Sequence, residues 1–101
     1  MALHVNGFDW DEGNRAKCEK HGLTITVIEG LFSRPLAILP DASLSRSERR
    51  FRAVGRTEEG RGAFIVFTLR RRGDEVLIRP ISVRYMHVKE IEAYEKENSD
   101  L

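Results

Sequence analysis

The sequence contains a single cysteine, Cys18, so no disulfide can form within the chain. It also lacks any apolar run approaching the roughly 20 residues that a membrane-spanning helix needs. Residues 1–6 carry neither the basic start nor the apolar stretch of a secretory signal peptide. These absences predict a cytoplasmic protein that contacts no membrane.

Metal-ligand sets and nucleophile motifs are scarce too. Cys18 and His21 have the spacing of neighbours on one helix face, but no third metal ligand lies near them in the sequence. The glycines form no phosphate-cradling loop, and no serine stands in a nucleophile-elbow motif. The sequence therefore predicts no metal site, no other cofactor and no serine hydrolase chemistry.

What is present fits a small globular protein. The 101 residues are 41% hydrophobic and 33% charged, which is typical of a compact chain with a heavily charged surface. A chain of this length buries about two-thirds of the surface that its unfolded form exposes, enough for one modest core. We expect one domain over residues 1–101.

Charge is distributed unevenly along the chain. Residues 46–84 contain eleven arginines, no lysine and five acidic residues, whereas acidic residues outnumber basic ones on either side. Arginine can bind phosphate or carboxylate through two parallel hydrogen bonds. This segment therefore indicates an anion-binding surface, and a solvated charged surface without a ligand explains the composition equally well.

The first half of the sequence carries helix signals. Asp9 or Asp11 can cap a helix that Gly22 ends, and Thr24 or Thr26 can cap a second helix. The predicted elements are a strand at 3–8, helices at 11–21 and from the second cap to about 32, an edge strand at 36–39 and a polar loop at 42–47. The residues expected to point inward around the first helix are Trp10, Ala16 and Cys18.

The second half carries strand signals. Residues 64–69 are apolar on both faces, as a central strand requires, and Pro80 predicts a bulge or an edge position because it lacks an N–H. The predicted elements are strands at 49–57, 63–70 and 75–84 and a helix at 87–97 that docks through Val88, Ile91 and Tyr94 or Glu95. The chain therefore predicts an α+β fold, with two N-terminal helices and a C-terminal helix on one face of a small antiparallel β-sheet.

Three segments, in order along the chain, resemble one known family. The first runs from Phe8 to Gly22, with a Trp-Asp start and a Lys-His-Gly finish. The second is Glu-Arg-Arg-Phe at 48–51, followed by Val-Gly at 54–55. The third combines Phe-Thr-x-Arg at 67–70, Ile-Arg-Pro-Ile-Ser-Val-Arg at 78–84, and then Glu90 and Tyr94. Together they are similar to the BrnT toxins.

The resemblance implies a RelE-like fold and a toxin of a type II toxin–antitoxin system that acts by cleaving RNA. It also implies a partner, a small ribbon-helix-helix antitoxin of the BrnA type that neutralises the toxin and binds operator DNA.

Cleavage of RNA without a metal ion sets three tasks. The attacking 2′-hydroxyl must lose its proton, the phosphorane must be stabilised, and the leaving 5′-oxygen must be protonated. Arginine suits the second task, and His, Glu, Tyr or Lys suit the others. The predicted catalytic residues are Arg79, Arg84, His21, Glu48 and Arg50, and the predicted RNA-binding residues are Lys20, Thr68, Arg70, Ser82, Tyr85 and His87.

Proton transfer has several candidates. Glu48 lies two residues from Arg50, so both project to one side of a strand and Glu48 could act as general base. His21 lies at a helix end where the dipole favours the imidazolium, which suits a general acid. His87 lies near the start of the last helix and is a second candidate for the base.

Alternation along the strands leaves the arrangement of these side chains open. Thr68 and Arg70 share a face, Ser82 and Arg84 share a face, and Arg79 has the opposite parity. An odd-length loop around residue 73 places Ser82 and Arg84 on the same face as Thr68. A two-residue loop places Arg79 on that face instead. A bulge at the proline could bring all of them together.

Each candidate also has a purely structural explanation. The arginines could form ion pairs with the acidic last helix, Glu48 and Arg50 could pair with each other, and His21 could complement its helix dipole. A different function class stays open as well, a non-catalytic module that uses the arginine-rich face to bind nucleic acid or a protein. The predicted sheet has few aromatic residues and no exposed aromatic pair of the kind that stacks on bases, which argues against a module that reads RNA sequence.

Overall fold

The computed structural model describes residues 5–40 and 49–97. The elements follow in the order β1 (Gly7–Phe8), α1 (Glu12–Glu19), α2 (Ile25–Leu31), β2 (Leu36–Pro40), β3 (Arg50–Arg56), β4 (Gly62–Arg72), β5 (Glu75–Tyr85) and α3 (Val88–Glu97). The predicted fold class, α+β with a small β-sheet and three helices, is confirmed, and the sheet is antiparallel in all strand pairs of the described residues but one. No helix within the described ranges has both the length and the apolar character to cross a membrane.

Capping side chains decide where the first two helices begin. Asp11 is the N-cap of α1, because its side chain accepts the N–H of Asn14 while the Asn14 side chain accepts the N–H of Asp11. The chain turns away after Lys20 through Gly22, whose φ of +94° suits glycine. Of the two caps considered for α2, Thr24 is the one used.

The sheet has the strand order β1-β5-β4-β3-β2. The long strands pair antiparallel, and β2 lies at the edge as predicted. β1 differs from the expected antiparallel sheet, because it pairs parallel with β5, with Gly7 opposite Leu77 and Phe8 opposite Ile78. Sequence alternation cannot reveal this arrangement, since a two-residue strand has no pattern to read.

The main core lies on one side of the sheet, which we call the inner face. Strand residues of this face, such as Ala53, Ile65 and Phe67, pack with Cys18 of α1 and Ile28 of α2. Burial raises the pKa of the Cys18 thiol to about 11, so the thiol stays protonated at neutral pH. Trp10 packs against this core as expected, but Ala16 is exposed, so its predicted inward position is wrong.

The other side of the sheet, which we call the outer face, holds α3. Ile91 of α3 packs with Val54 and Met86 in a second apolar cluster that includes Phe64. The expectation that all helices share one face therefore does not hold for α3. Val88 was predicted to dock and is instead 69% exposed, so that part of the prediction is wrong.

Candidate functional site

The register of the three long strands brings the predicted arginines to the outer face. Arg50 lies opposite Thr68, and Thr68 lies opposite Arg79. Directly opposed residues of an antiparallel pair project to the same face, so these three side chains form one row. The next row toward α3 contains Arg52, Val66 and Ser82, and the row after it contains Val54, Phe64 and Arg84.

A turn and a bulge together explain why both arginines of β5, Arg79 and Arg84, project from the outer face. The β4–β5 hairpin closes through the two residues Gly73 and Asp74, which places Arg79 opposite Thr68. The register then shifts: Phe67 faces Pro80 and Val66 faces Ser82, so one residue of β5 is left over. Without that bulge Arg84 would project from the inner face. The predicted bulge at the proline is confirmed.

The part of the outer face beneath α3, which we call the helix-proximal half, has its arginines paired with that helix. Arg56 donates two hydrogen bonds to Glu95, one of them 2.6 Å from Nη2 to Oε1. Arg84 binds both carboxylate oxygens of Glu90 at 3.1 and 2.9 Å, and its guanidinium lies 5.0 Å from the centre of the Phe64 ring. These ion pairs lower the pKa of both glutamates and raise that of both arginines.

The rest of the outer face, which we call the helix-distal half, includes the row of Arg50, Thr68 and Arg79. Here the carboxylates come from the chain before α1. Arg79 lies 2.9 Å from Asp11 and 3.5 Å from Asp9, and Arg72 lies 2.9 Å from Asp9. Within this half, Arg79 is therefore held by acidic residues far from it in sequence.

Small side chains form the floor between the arginines. Thr68 is 1% exposed and its hydroxyl donates to the carbonyl oxygen of Arg49 at 2.6 Å. Ser82 is half-buried in the middle of the face, and Arg70 is exposed near the hairpin end. Thr68 and Ser82 are thus short polar side chains on the same face as the longer side chains of Arg50, Arg79 and Arg84.

Three predicted site residues lie elsewhere. Lys20 and His21 are exposed after α1, and no contact within the described ranges joins them to the outer face. Tyr85 pairs with Ala63 on the inner face, where the Arg61 guanidinium stacks 3.4 Å from the centre of its ring. Glu48 falls outside the described residues. The structure therefore gathers the predicted strand residues other than Tyr85 on the outer face, and it separates Lys20, His21 and Tyr85 from them.

His87 lies beside the helix-proximal half. Its carbonyl accepts the N–H of Ile91, which places it at the start of α3 as predicted. Its backbone N–H is 3.4 Å from Oε1 of Glu90, the carboxylate that also binds Arg84. His87 thus shares a partner with Arg84 and has an exposed side chain.

Two outer-face residues were missed from the sequence. Arg52 lies opposite Val66 on the outer face and was recoverable, because it lies two residues after Arg50 in the same strand. Asp9 was considered only as a helix cap, and its position beside Arg72 and Arg79 depends on long-range pairing with no local signal.

Two clefts of the described surface contain none of the predicted site residues. The larger, of about 280 Å³, lies between α2 and the β3–β4 turn and is lined by Arg34, Glu58 and Glu59 among others. Within residues 5–40 and 49–97, no cluster of three or more histidine, cysteine or acidic side chains is arranged to hold a metal ion.

Comparison with protein families gives one match. Residues 10–90 match the family described as "Ribonuclease toxin, BrnT, of type II toxin-antitoxin system". The matched segment is most of the chain and includes the three arginine-bearing strands. No curated protein matches the chain.

Proposed function

The chain belongs to the BrnT family of ribonuclease toxins of type II toxin–antitoxin systems, and on that premise we propose that it cleaves RNA without a metal ion on the outer face of its sheet. The observation that carries the proposal is the bulge in β5, which gathers Arg79 and Arg84 on the face that already holds Arg50. A single-stranded RNA backbone laid across this face meets guanidinium groups along its length.

We assign Arg79 and Arg84 to different phosphates because of the distance between them. Their partners Thr68 and Phe64 are four residues apart on β4, so Arg79 and Arg84 are separated by about 14 Å along the strand. We place the scissile phosphate beside Arg79, because Arg50 lies in the same row, two strands or about 10 Å away. Arg84 then binds the backbone nearer to α3.

At the scissile phosphate the guanidinium of Arg79 stabilises the negative charge that develops as the 2′-hydroxyl attacks. Arginine is well suited to this, since its charge is permanent and its N–H groups fit the phosphoryl oxygens. Glu48 precedes Arg50 by two residues, and we propose it as the general base. His21 and His87 are the candidates for the general acid.

Cleavage in EDTA tests the activity and its site together. Wild type should cut single-stranded RNA with EDTA present, and Arg79→Ala should lower kcat about 10²- to 10³-fold, as loss of one group that stabilises a charged transition state does. Arg71→Ala is the matched control, because Arg71 is exposed on the neighbouring strand β4 and projects from the opposite face of the sheet. Activity that requires added metal, or equal losses in both variants, would contradict the proposal.

The general acid can be identified in the same assay. Replacing a true proton donor should remove the basic limb of the pH–rate profile, which a purely structural histidine would not do. His21→Ala and His87→Ala are therefore compared across pH, with circular dichroism to verify folding. If neither substitution changes the pH–rate profile, neither histidine is the general acid.

A type II toxin has an antitoxin partner, and we propose that it is a ribbon-helix-helix protein of the BrnA type whose complex with the toxin binds operator DNA. The arginine-rich outer face is suited to an acidic segment of such a protein. Co-expression with the neighbouring open reading frame, followed by purification through a tag on the toxin, tests this. A partner that binds equally well to wild type and to a variant lacking Arg52 and Arg84 would place the interface elsewhere.

A second candidate function is a non-catalytic module that binds nucleic acid or a protein through the same face. Both Arg79 and Arg84 already have carboxylate partners within the chain, which favours a structural role for them. Turnover separates the two functions: binding of RNA without cleavage by the wild type would support the module.

A further inference from the structure

The carboxylate of Asp9 is nearly enclosed beside the predicted phosphate site. Its side chain is 8% exposed, and it lies 2.9 Å from Nη2 of Arg72 and 3.5 Å from Nη1 of Arg79. A buried charge of this kind is retained only where opposite charges compensate it. Asp9 therefore lies between two arginines, each of which compensates part of its charge.

The backbone around Asp9 is fastened to β5 next to Arg79. The N–H of Asp9 donates to the carbonyl oxygen of Ile78 at 2.8 Å. The buried side-chain amide of Asn14 donates to the carbonyl oxygens of Asp9 at 3.0 Å and Pro80 at 2.9 Å. These bonds join the chain before α1 to both residues that flank Arg79, so the backbone at Asp9 and the backbone at Arg79 are held side by side.

Asp11 is the second carboxylate on Arg79, and its surroundings are different. Its side chain is 56% exposed and lies 2.9 Å from Nη2 of Arg79, whereas the Arg79 side chain itself is 19% exposed. The Asn14 N–H and then Arg79 lower the pKa of Asp11, so it is an anion at neutral pH. An exposed ion pair is weak and opens at small cost.

We propose that Asp9 is a positioning residue that fixes Arg79 for RNA, and that Asp11 is an exchangeable ligand whose place an RNA phosphate takes. The proposal rests on the proposed function, because it assigns the two carboxylates their tasks at that site. Asp9 holds Nη1 of Arg79, while the departure of Asp11 exposes Nη2 to the incoming phosphoryl oxygen. The two acids should therefore have opposite effects on RNA binding.

The variants Asp9→Asn and Asp11→Asn provide the test. Asparagine is as good an N-cap as aspartate, so Asp11→Asn keeps the start of α1 while removing the anion that competes with phosphate. The binding probe is a single-stranded 2′-O-methyl RNA, which cannot be cleaved by 2′-hydroxyl attack. Asp11→Asn should bind it about two- to fivefold more tightly than wild type, the factor expected from removal of an exposed ion pair.

Asp9→Asn should act in the opposite direction. It should weaken binding of the same probe, and with cleavable RNA it should lower kcat about 10²-fold, because a small displacement of a reacting group has that effect. Asp9→Glu restores the charge and should recover part of kcat, which a defect in packing alone would not allow. If Asp9→Asn does not fold, as judged by circular dichroism, Asp9→Glu and Asp11→Asn decide the question.

The outcomes separate this inference from the proposed function. Opposite shifts in binding support it even if the wild type never cleaves RNA, in which case only the ribonuclease mechanism fails. Binding that is equal to wild type in Asp11→Asn, or weakened alike by both substitutions, overturns it even if the wild type is an active nuclease.

Discussion

The two halves of the outer face use the same residue type for different purposes. In the helix-proximal half, Arg56 and Arg84 bind glutamates of α3 and so help to hold that helix on the sheet. In the helix-distal half, Arg79 binds Asp9 and Asp11 from the other end of the chain. No helix within the described ranges is packed there by an apolar cluster comparable to the one around Ile91.

The two halves also differ in the side chains that lie between their arginines. Beneath α3 the floor is apolar, with Val54 and Phe64, and a helix can bury it. In the rows near Arg79, Thr68 and Ser82 lie on this face together with Val66, so the surface there is more polar than the one beneath α3. Arg84, beside the apolar side chains, thus helps to hold α3, and we propose that Arg79, beside the more polar ones, binds an anion.

The largest expected difference between the halves is in catalysis. Arg79→Ala should lower kcat about 10²- to 10³-fold. Arg84→Ala should mainly raise KM, because we propose that Arg84 binds the RNA backbone away from the scissile phosphate. Steady-state kinetics on one RNA measure both constants. An equal loss of kcat in the two variants would show that the halves form a single catalytic site.

The next effect is on stability and is confined to the helix-proximal half. A Cβ at Gly62 would approach Cβ of Ile91 to 2.7 Å, so Gly62→Ala should force α3 outward. Overpacking of this kind costs about 1–3 kcal/mol, which urea unfolding can measure. The kcat of the folded Gly62→Ala protein should match wild type, and a large fall in kcat would mean that the position of α3 matters for the chemistry.

A smaller effect is expected in the salt dependence of binding. Each phosphate contact to a single strand adds about 0.7 to the slope of log K against log salt concentration, so Arg84→Ala should lower that slope by about this amount. Arg71→Ala, on the inner face, should leave the slope unchanged. Measuring 2′-O-methyl RNA binding at several salt concentrations gives the slopes, and identical slopes for wild type and Arg84→Ala would assign Arg84 to the fold alone.

The smallest effect is in the pH dependence of stability. The Arg56 ion pair lowers the pKa of Glu95 below its ordinary value of 4.5, so the folded protein binds fewer protons than the unfolded chain in this range. The contribution of this ion pair to the free energy of unfolding is complete above about pH 4.5, and it is lost as the pH falls through the pKa of Glu95 in the folded protein. Glu95→Gln should therefore lose less stability on acidification than wild type, by urea unfolding. Glu97→Gln, at a nearby exposed site, is the control and should behave as wild type. If wild type and both variants give identical stability curves against pH, the ion pair of Arg56 and Glu95 contributes nothing measurable.

Local patterns predicted much of the fold. The apolar run at 64–69, the missing N–H of Pro80 and the cap at Thr24 each act through neighbouring residues, and each appears as expected. The sequence left three arrangements of the strand faces open, and a bulge was one of them. Loop length and bulges each decide from which face a side chain projects, and the alternation of residues along a strand fixes neither of them.

Long-range packing accounts for what the sequence could not predict. The apolar stripe of α3 could pack on Val54 and Phe64 or on the opposite face of the same strands. Because both faces of β4 are apolar, the sequence does not decide between them. Asp9 reaches Arg79 only because β1 pairs parallel with the far edge of β5. Neither contact leaves a periodic signal in the chain.

The chemistry at the cut RNA ends tests the central claim most directly. If the outer-face arginines stabilise attack by the 2′-hydroxyl, products made by the wild type in EDTA carry a 2′,3′-cyclic phosphate at one end and a 5′-hydroxyl at the other, and RNA without 2′-hydroxyls is not cut. Products with a 5′-phosphate and a 3′-hydroxyl would contradict this account, since they require attack by water rather than by the RNA itself.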